Sequence, residues 1–300
     1  MGFTSTDDMI LQMTSNGKAD SHILQKTLVA AGVAGHWQHL LTSPGNIPAA
    51  TFGGAELTFI PTDNTWSEGA IPIADQTSPA TKHLTAAGAS IIAAAGAPWF
   101  VQFVDLVGYA KATTTNVSTT GTKAITMTPI AATASNVDRY PNGEGLRLCV
   151  AAIAAMGANA PTMQINYLNQ AGAAKATLAG CVSTASATNG TILNSGNAAN
   201  KYGPFLPLAA GDTGVSDIVS LVWGGTAHAS GSVAVLLCKP LGMPVPLPAT
   251  GLFNVFDYVN TLPSMPRLKN GANLTALVYN TAATTSGGTF FASLDYAYGG

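Results

Sequence analysis

His36-Trp37-Gln38-His39 is the first place where this sequence sets two metal-ligating side chains close together. At i and i+3 on a helix, two imidazoles can share one cation. No third ligand lies nearby in sequence, and Gly35 and Pro44 weaken a helix there, so the pair reads as structural. His22, His83 and His228 stand singly and are expected at the surface. Cys149, Cys181 and Cys238 are odd in number and widely spaced, with no C-x-x-C. They read as buried free thiols acting as small hydrophobes in a reducing compartment. There is no G-x-S-x-G nucleophile turn, and no Gly-rich phosphate loop follows a strand. Sugar hydrolysis needs two carboxylates flanking one site. Here the fourteen acids are dispersed, and Asp7-Asp8 is the only adjacent pair. Gly203 to Asp217 reads as a loop entering a strand, with Asp212 closing an Asx-type turn before Gly214. Asp212 and Asp217 alone supply too few oxygens for calcium. No catalytic, cofactor-binding or metal-binding residue is nominated, and neither a cofactor nor an enzymatic activity is expected.

The elements that would carry such residues are mostly strands. Residues 1–45 read as a partly helical arm or cap. One short helix starts at Asp7-Asp8 and ends at Asn16-Gly17, and a second runs from Ser21 to Ala31, where Leu24, Leu28 and Ala31 share a face. Residues 46–98 read as an irregular segment broken by Pro48, Pro61, Pro72, Pro79 and Pro98, with one helical candidate from Thr81 to Ala95 that Gly88 weakens. From residue 99 to residue 300 the pattern becomes β. Trp99 to Tyr109 is nearly continuous β-former, as for a strand covered on both faces. Thr162 to Asn169 alternates, with Met163, Ile165 and Tyr167 on one face. Further strands are read around 123–127, 146–153, 176–182, 218–223, 232–237, 276–279 and 289–298. Asn-Gly at 16–17, 142–143, 189–190 and 270–271 adds hairpin signals. Cys238 to Pro248, with four prolines, favours an extended path at a strand edge, an arm over a neighbour, or a rigid loop. The fold class that follows is mainly β, an antiparallel jelly-roll-like β-sandwich.

Composition sets the functional class. Charged residues are 9% of the chain, against roughly 25% in average soluble proteins, and the net charge is −2. Such a surface suits a protein covered by neighbours, because near-zero net charge favours association. Basic residues are scattered, with Arg267 and Lys269 the densest pair, which argues against direct nucleic-acid binding. Leu84 to Val104 is uncharged and long enough to span a bilayer, but Ser90, Pro98 and Gln102 interrupt it, and no span is expected. Met1 to Gln12 has no basic leader region and is not read as a secretory signal.

The segments GPFLPLAAGDTGV (203–215), SDIVSLVW (216–223), VAVLLCKPL (233–241) and LPSMPRLKNGA (262–272), with the ending from Phe290, resemble stretches of tailed-bacteriophage virion structural proteins. The resemblance covers about two thirds of the chain. It implies a virion component, assembled in the host cytoplasm, that decorates or cements the capsid or sits at the head–tail region. Its partners would be other virion proteins and copies of itself, with no nucleic acid, membrane or small molecule. The alternative is a receptor- or carbohydrate-binding module using exposed aromatics such as Trp66, Trp223, Tyr279, Tyr296 and Tyr298.

Overall fold

Residues 99–112 are apolar on both parities, so the strand they form has to be covered on both sides. The computed structural model describes residues 5–14, 18–29, 32–77, 80–92, 98–127, 139–196, 203–261, 265–283 and 287–299, and in it this strand, β6 (Trp99–Ala112), is the spine. The central sheet runs in the order β2 (His36–His39), β17 (Asn273–Asn280), β6, β13 (Ser232–Pro240), β8 (Arg147–Ala154). β3 (Phe59–Pro61) and β14 (Val245–Leu247) also pair with β6, and β4 (Ile71–Pro72) pairs with β17.

Two smaller sheets flank it. The first has the order β1 (Ala19–Thr27), β18 (Thr289–Gly299), β5 (Thr81–Ile92), β15 (Asn254–Asp257), with β16 (Arg267–Leu268) also on β5. The second has the order β10 (Ala174–Ala176), β9 (Thr162–Asn169), β12 (Val215–Gly224), β7 (Gly121–Ala124), with β11 (Cys181–Val182) also on β9. Every named strand pair is antiparallel. The chain repeatedly changes sheet between successive strands, from β5 to β6, β8 to β9, β12 to β13 and β17 to β18. This is the habit of a jelly-roll-like sandwich.

Side-chain alternation divides the interior. On one face of the central sheet Trp99, Val101, Phe103 and Ala276 meet Leu24, Ala89, Phe290 and Leu294 of the first flanking sheet. Further along that face Leu148, Val150, Val235 and Leu237 meet Ile165, Tyr167, Leu221 and Trp223 of the second. The register between β13 and β6 shifts at Leu237/Cys238, a bulge that falls where one core gives way to the other. The far face, with Val104, Leu106, Cys149 and Leu236, is covered by connecting segments carrying Leu41, Phe52 and Ile192.

Three local expectations need correction. The stretch from Ser21 is not a second helix: Ala19–Thr27 is β1, paired residue for residue with β18. Thr81–Ile92 is likewise a strand, held between β18 and β15. Short apolar spacing there fits either period, and cross-strand hydrogen bonding decides it. Helix α1 (Thr6–Thr14) does form, capped by Ser5 Oγ accepting from the Asp8 N–H at 3.0 Å, and it lies against β1 and β18 of its own chain. The Asn-Gly pairs at 142–143, 189–190 and 270–271 turn the chain, yet none joins two paired strands; residues 16–17 lie outside the described residues. At Asn142 and Gly143 φ is 56° and 69°, and a Cβ at 143 would sit 1.8 Å from the Val215 carbonyl oxygen, so glycine is required there. The proline-rich stretch is extended and paired: β13 continues to Pro240, and Val245–Leu247 adds to β6 opposite Val101–Trp99.

Candidate functional site

The residues weighed for chemistry are dispersed and occupied. His36 and His39 lie on a strand, where i and i+3 point to opposite faces and cannot share a cation. Their rings bond to backbone instead, His36 Nδ1 to Ala34 O at 2.9 Å and His39 Nε2 to Ala152 O at 3.1 Å. Burial pushes the His39 pKa down to about 4, so its ring is neutral at pH 7 and donates to that carbonyl. His228, expected at the surface, is fully buried: its Nε2 is 2.8 Å from Ser183 Oγ and Trp223 packs edge-on at 5.5 Å. Ser183 is equally buried, which leaves this dyad sealed from any substrate. All three cysteines are free and buried, and burial raises the Cys181 thiol to about 11. Among the described residues no group of three or more His, Cys, Asp or Glu side chains gathers to hold a metal ion.

Asp212 does not close the turn assigned to it. Its carboxylate accepts from Tyr167 O–H at 2.6 Å and Asn169 Nδ2 at 2.8 Å, pinning the loop to β9. The turn is closed by Gln170 Oε1, which accepts from the Thr213 and Gly214 N–H groups.

One buried ionic site escaped the sequence reading. Asp105, in the middle of β6, accepts from Arg139 Nε at 2.9 Å, from Arg139 Nη2, from Tyr140 O–H at 2.8 Å and from the Asn273 N–H at 2.9 Å. Arg139 spends its remaining donors on the Thr62 and Leu106 carbonyls. Burial and the neighbouring Asp105 charge raise the Tyr140 hydroxyl well above its ordinary pKa. The node ties β6 and β17 to the segment leading into β8. The available signal was a lone carboxylate in a strand apolar on both faces, since a buried charge has to be paired.

The aromatics proposed for sugar binding do not share a face. Trp223 and Tyr296 are buried in different cores, and Trp66 packs on a third. Tyr279 enters a cleft of about 500 Å³, with Trp37 at 5.5 Å and Phe100 at 6.2 Å between ring centroids. Its Ser195 hydroxyl is taken by the Trp37 N–H and the Ile192 carbonyl.

Exposed apolar side chains gather on the outer face of the first flanking sheet. Ile23, Ser293, Gly88 and Val255 stand in one register row across β1, β18, β5 and β15. Ile23 is 61% exposed and Val255 54%. Phe253 lies over Gly88, where a Cβ would come within 2.4 Å of its ring, and Leu252, Phe253 and Ile92 are all more than half exposed. Apolar exposure gathered in this way marks an interaction surface. Lateral growth of the sheet is blocked along part of β1: Asn46 bonds the Ile23 carbonyl at 2.6 Å and the Gln25 N–H at 2.8 Å, and the Thr27 N–H reaches Pro44 O at 2.7 Å. The face is open while this stretch of edge is closed.

No family model matches the chain, and no curated protein does. Among solved structures, "Structure of infectious bursal disease virus Gt strain" aligns over 93% of this chain and 80% of that one, at 9% identity and a TM-score of 0.19. A T=1 particle derived from infectious bursal virus aligns over 96% and 83%, at 8% identity and a TM-score of 0.15. Both values fall short of a shared fold, so the chain is placed by its own geometry: a mainly β, jelly-roll-like sandwich with an open, charge-free row on one outer face.

Proposed function

We propose that this chain is a structural subunit of a virus particle, joined to its neighbours through the outer face of the first flanking sheet. More narrowly, it is a bacteriophage virion protein that decorates or cements the capsid and acts by binding rather than by catalysis. The observation that carries this reading is that open face, in a chain with only 26 charged residues in 300. No side chain in the Ile23–Val255 row is charged, so its apolar area contributes directly to association, while Asp295 and Asp257 stand in the neighbouring row of the same face. The resemblance of residues 203–223, 233–241 and 262–272, and of the ending from Phe290, to tailed-phage structural proteins supports the narrower form. Mass spectrometry of purified particles should find the chain at stoichiometric copy number; its absence from particles overturns the proposal.

A second reading, a receptor- or carbohydrate-binding module, is favoured by the cleft of Trp37, Phe100 and Tyr279. Aromatic rings beside a cleft are what a sugar face stacks on. Saturable binding of the isolated chain on a glycan array, lost in Tyr279→Ala, would put this reading first.

A further inference from the structure

The basic residues that look scattered in sequence are not scattered in space. A cleft of about 500 Å³ opens where the two flanking sheets approach each other over the central sheet, and Arg139, Lys239, Arg267 and Lys269 all line it. Among the described residues that is four basic side chains against one lining carboxylate, Glu144, in a protein of net charge −2. Arg139 is committed to Asp105 and forms a fixed wall. Lys239 is different. Its half-buried side chain passes Tyr140, with Nζ 5.6 Å from the ring centroid, and its nearest acceptor is the Glu144 carbonyl at 3.4 Å. Among the described residues neither Lys239 nor the exposed Arg267 has a carboxylate within 4.0 Å.

The backbone is shaped around the Lys239 ammonium. Gly145 has φ +74°, and a Cβ there would lie 1.9 Å from Lys239 Nζ, so the charge occupies the space a side chain would fill. Burial and, after it, the charge of nearby Arg147 lower the Lys239 pKa, against an opposing pull from Glu144. Arg147 is itself turned to the Thr213 carbonyl at 2.7 Å, on the same rim. Like charges held together on a rigid frame repel until an anion joins them.

We infer that this cleft is an oxyanion-binding site, taking a carboxylate- or phosphate-bearing group between Lys239 and Arg267. The group comes either from a free small anion or from a carboxylate of a second copy of this chain. The site stands apart from the open sheet face, and neither proposal needs the other.

The test is isothermal titration of the full chain, at low ionic strength, with inorganic phosphate and with citrate. Saturable one-to-one binding is expected. Arg267→Ala, at an exposed position that does not threaten folding, should weaken it about tenfold, as loss of one charge-assisted contact does. Lys239→Met should weaken it at least as much, while Lys175→Ala, on the second flanking sheet, should leave it unchanged. Unsaturable heats, or equal losses in Arg267→Ala and Lys175→Ala, overturn the proposal. Sedimentation of the same chain then identifies the source. Self-association that phosphate dissolves assigns the site to a neighbour's carboxylate; otherwise the occupant is the free anion.

Discussion

The two flanking sheets lie on one central sheet, yet they are finished differently. The second presents bulk inward, with Met163, Ile165, Tyr167, Leu221 and Trp223 in its core. Its outer face carries bonded polar groups beside the half-buried Leu168 and Val222: Gln164 Nε2 donates to Thr177 O, and Asn166 Nδ2 to Ser220 Oγ, each at 2.8 Å. In the first flanking sheet bulk is uneven: β5 turns Ala87 and Ala89 inward between Leu84 and Ile91, while β1 and β18 contribute Leu24, Phe290, Leu294 and Tyr296. Its outer face is apolar and bare at Ile23 and Val255. The contrast lies in the outer faces: bonded amides line the second sheet, and an apolar row stands exposed on the first.

The largest expected effects test whether the two halves form one cooperative unit. Trp223→Ala empties the second core and should cost about 3–5 kcal/mol. Leu294→Ala in the first should cost about 2–5 kcal/mol. Urea unfolding should show a single transition that either change shifts; two separable transitions would mean that the halves fold independently. Arg139→Met probes the join itself. It leaves Asp105 charged, buried and unpaired, at about 3–5 kcal/mol, and adding Asp105→Leu should recover most of the loss. A loss under about 1 kcal/mol in the single variant would show that the ion pair does not hold the halves together.

The contrast between the sheets was only partly legible in the sequence. β9 was read to the residue because Met163, Ile165 and Tyr167 alternate with polar neighbours, the signature of a strand with one wet face. β6 was read because both parities are apolar. In the first flanking sheet β1 misleads because Leu24, Leu28 and Ala31 also fit a helix face, and β5 because its Ala and Gly carry almost no periodic signal; the pairing that makes both strands comes from β18, far along the chain. Sites failed for the same reason. Asp105 is drawn to Arg139, and Lys239 to Arg267, only by sheet topology. His228 looked solitary because Ser183 and Trp223 reach it across the second core.

A pH experiment separates the halves from the strap behind them. β2 pairs with β17 on the first side, while the His39 ring bonds Ala152 on β8, and the His39 N–H reaches Gly190 O at 2.8 Å. The folded pKa of His39, about 4, lies below its ordinary value of 6.5. Its neutral ring therefore contributes stability that is complete above pH 6.5 and is lost as the pH falls toward 4, up to about 3 kcal/mol. Urea midpoints at pH 7 and pH 4.5 should fall further for the wild-type chain than for His39→Gln, whose amide keeps a donor for Ala152 without titrating. Equal falls would show that the strap is not His39-dependent.

The smallest effect on stability carries the largest consequence for function. Val255→Lys and Ile23→Lys place a charge on the bare row without touching a core, so the isolated chain should change by less than about 0.5 kcal/mol. Gln164→Lys makes the matching change on the finished face of the second sheet. If the first face is a subunit interface, burying an unpaired ammonium there is costly, and the first two variants should be lost from purified particles. Gln164→Lys should be retained at full copy number. Retention of all three would mean that the difference between the two faces has no role in assembly, and the apolar row would need another occupant.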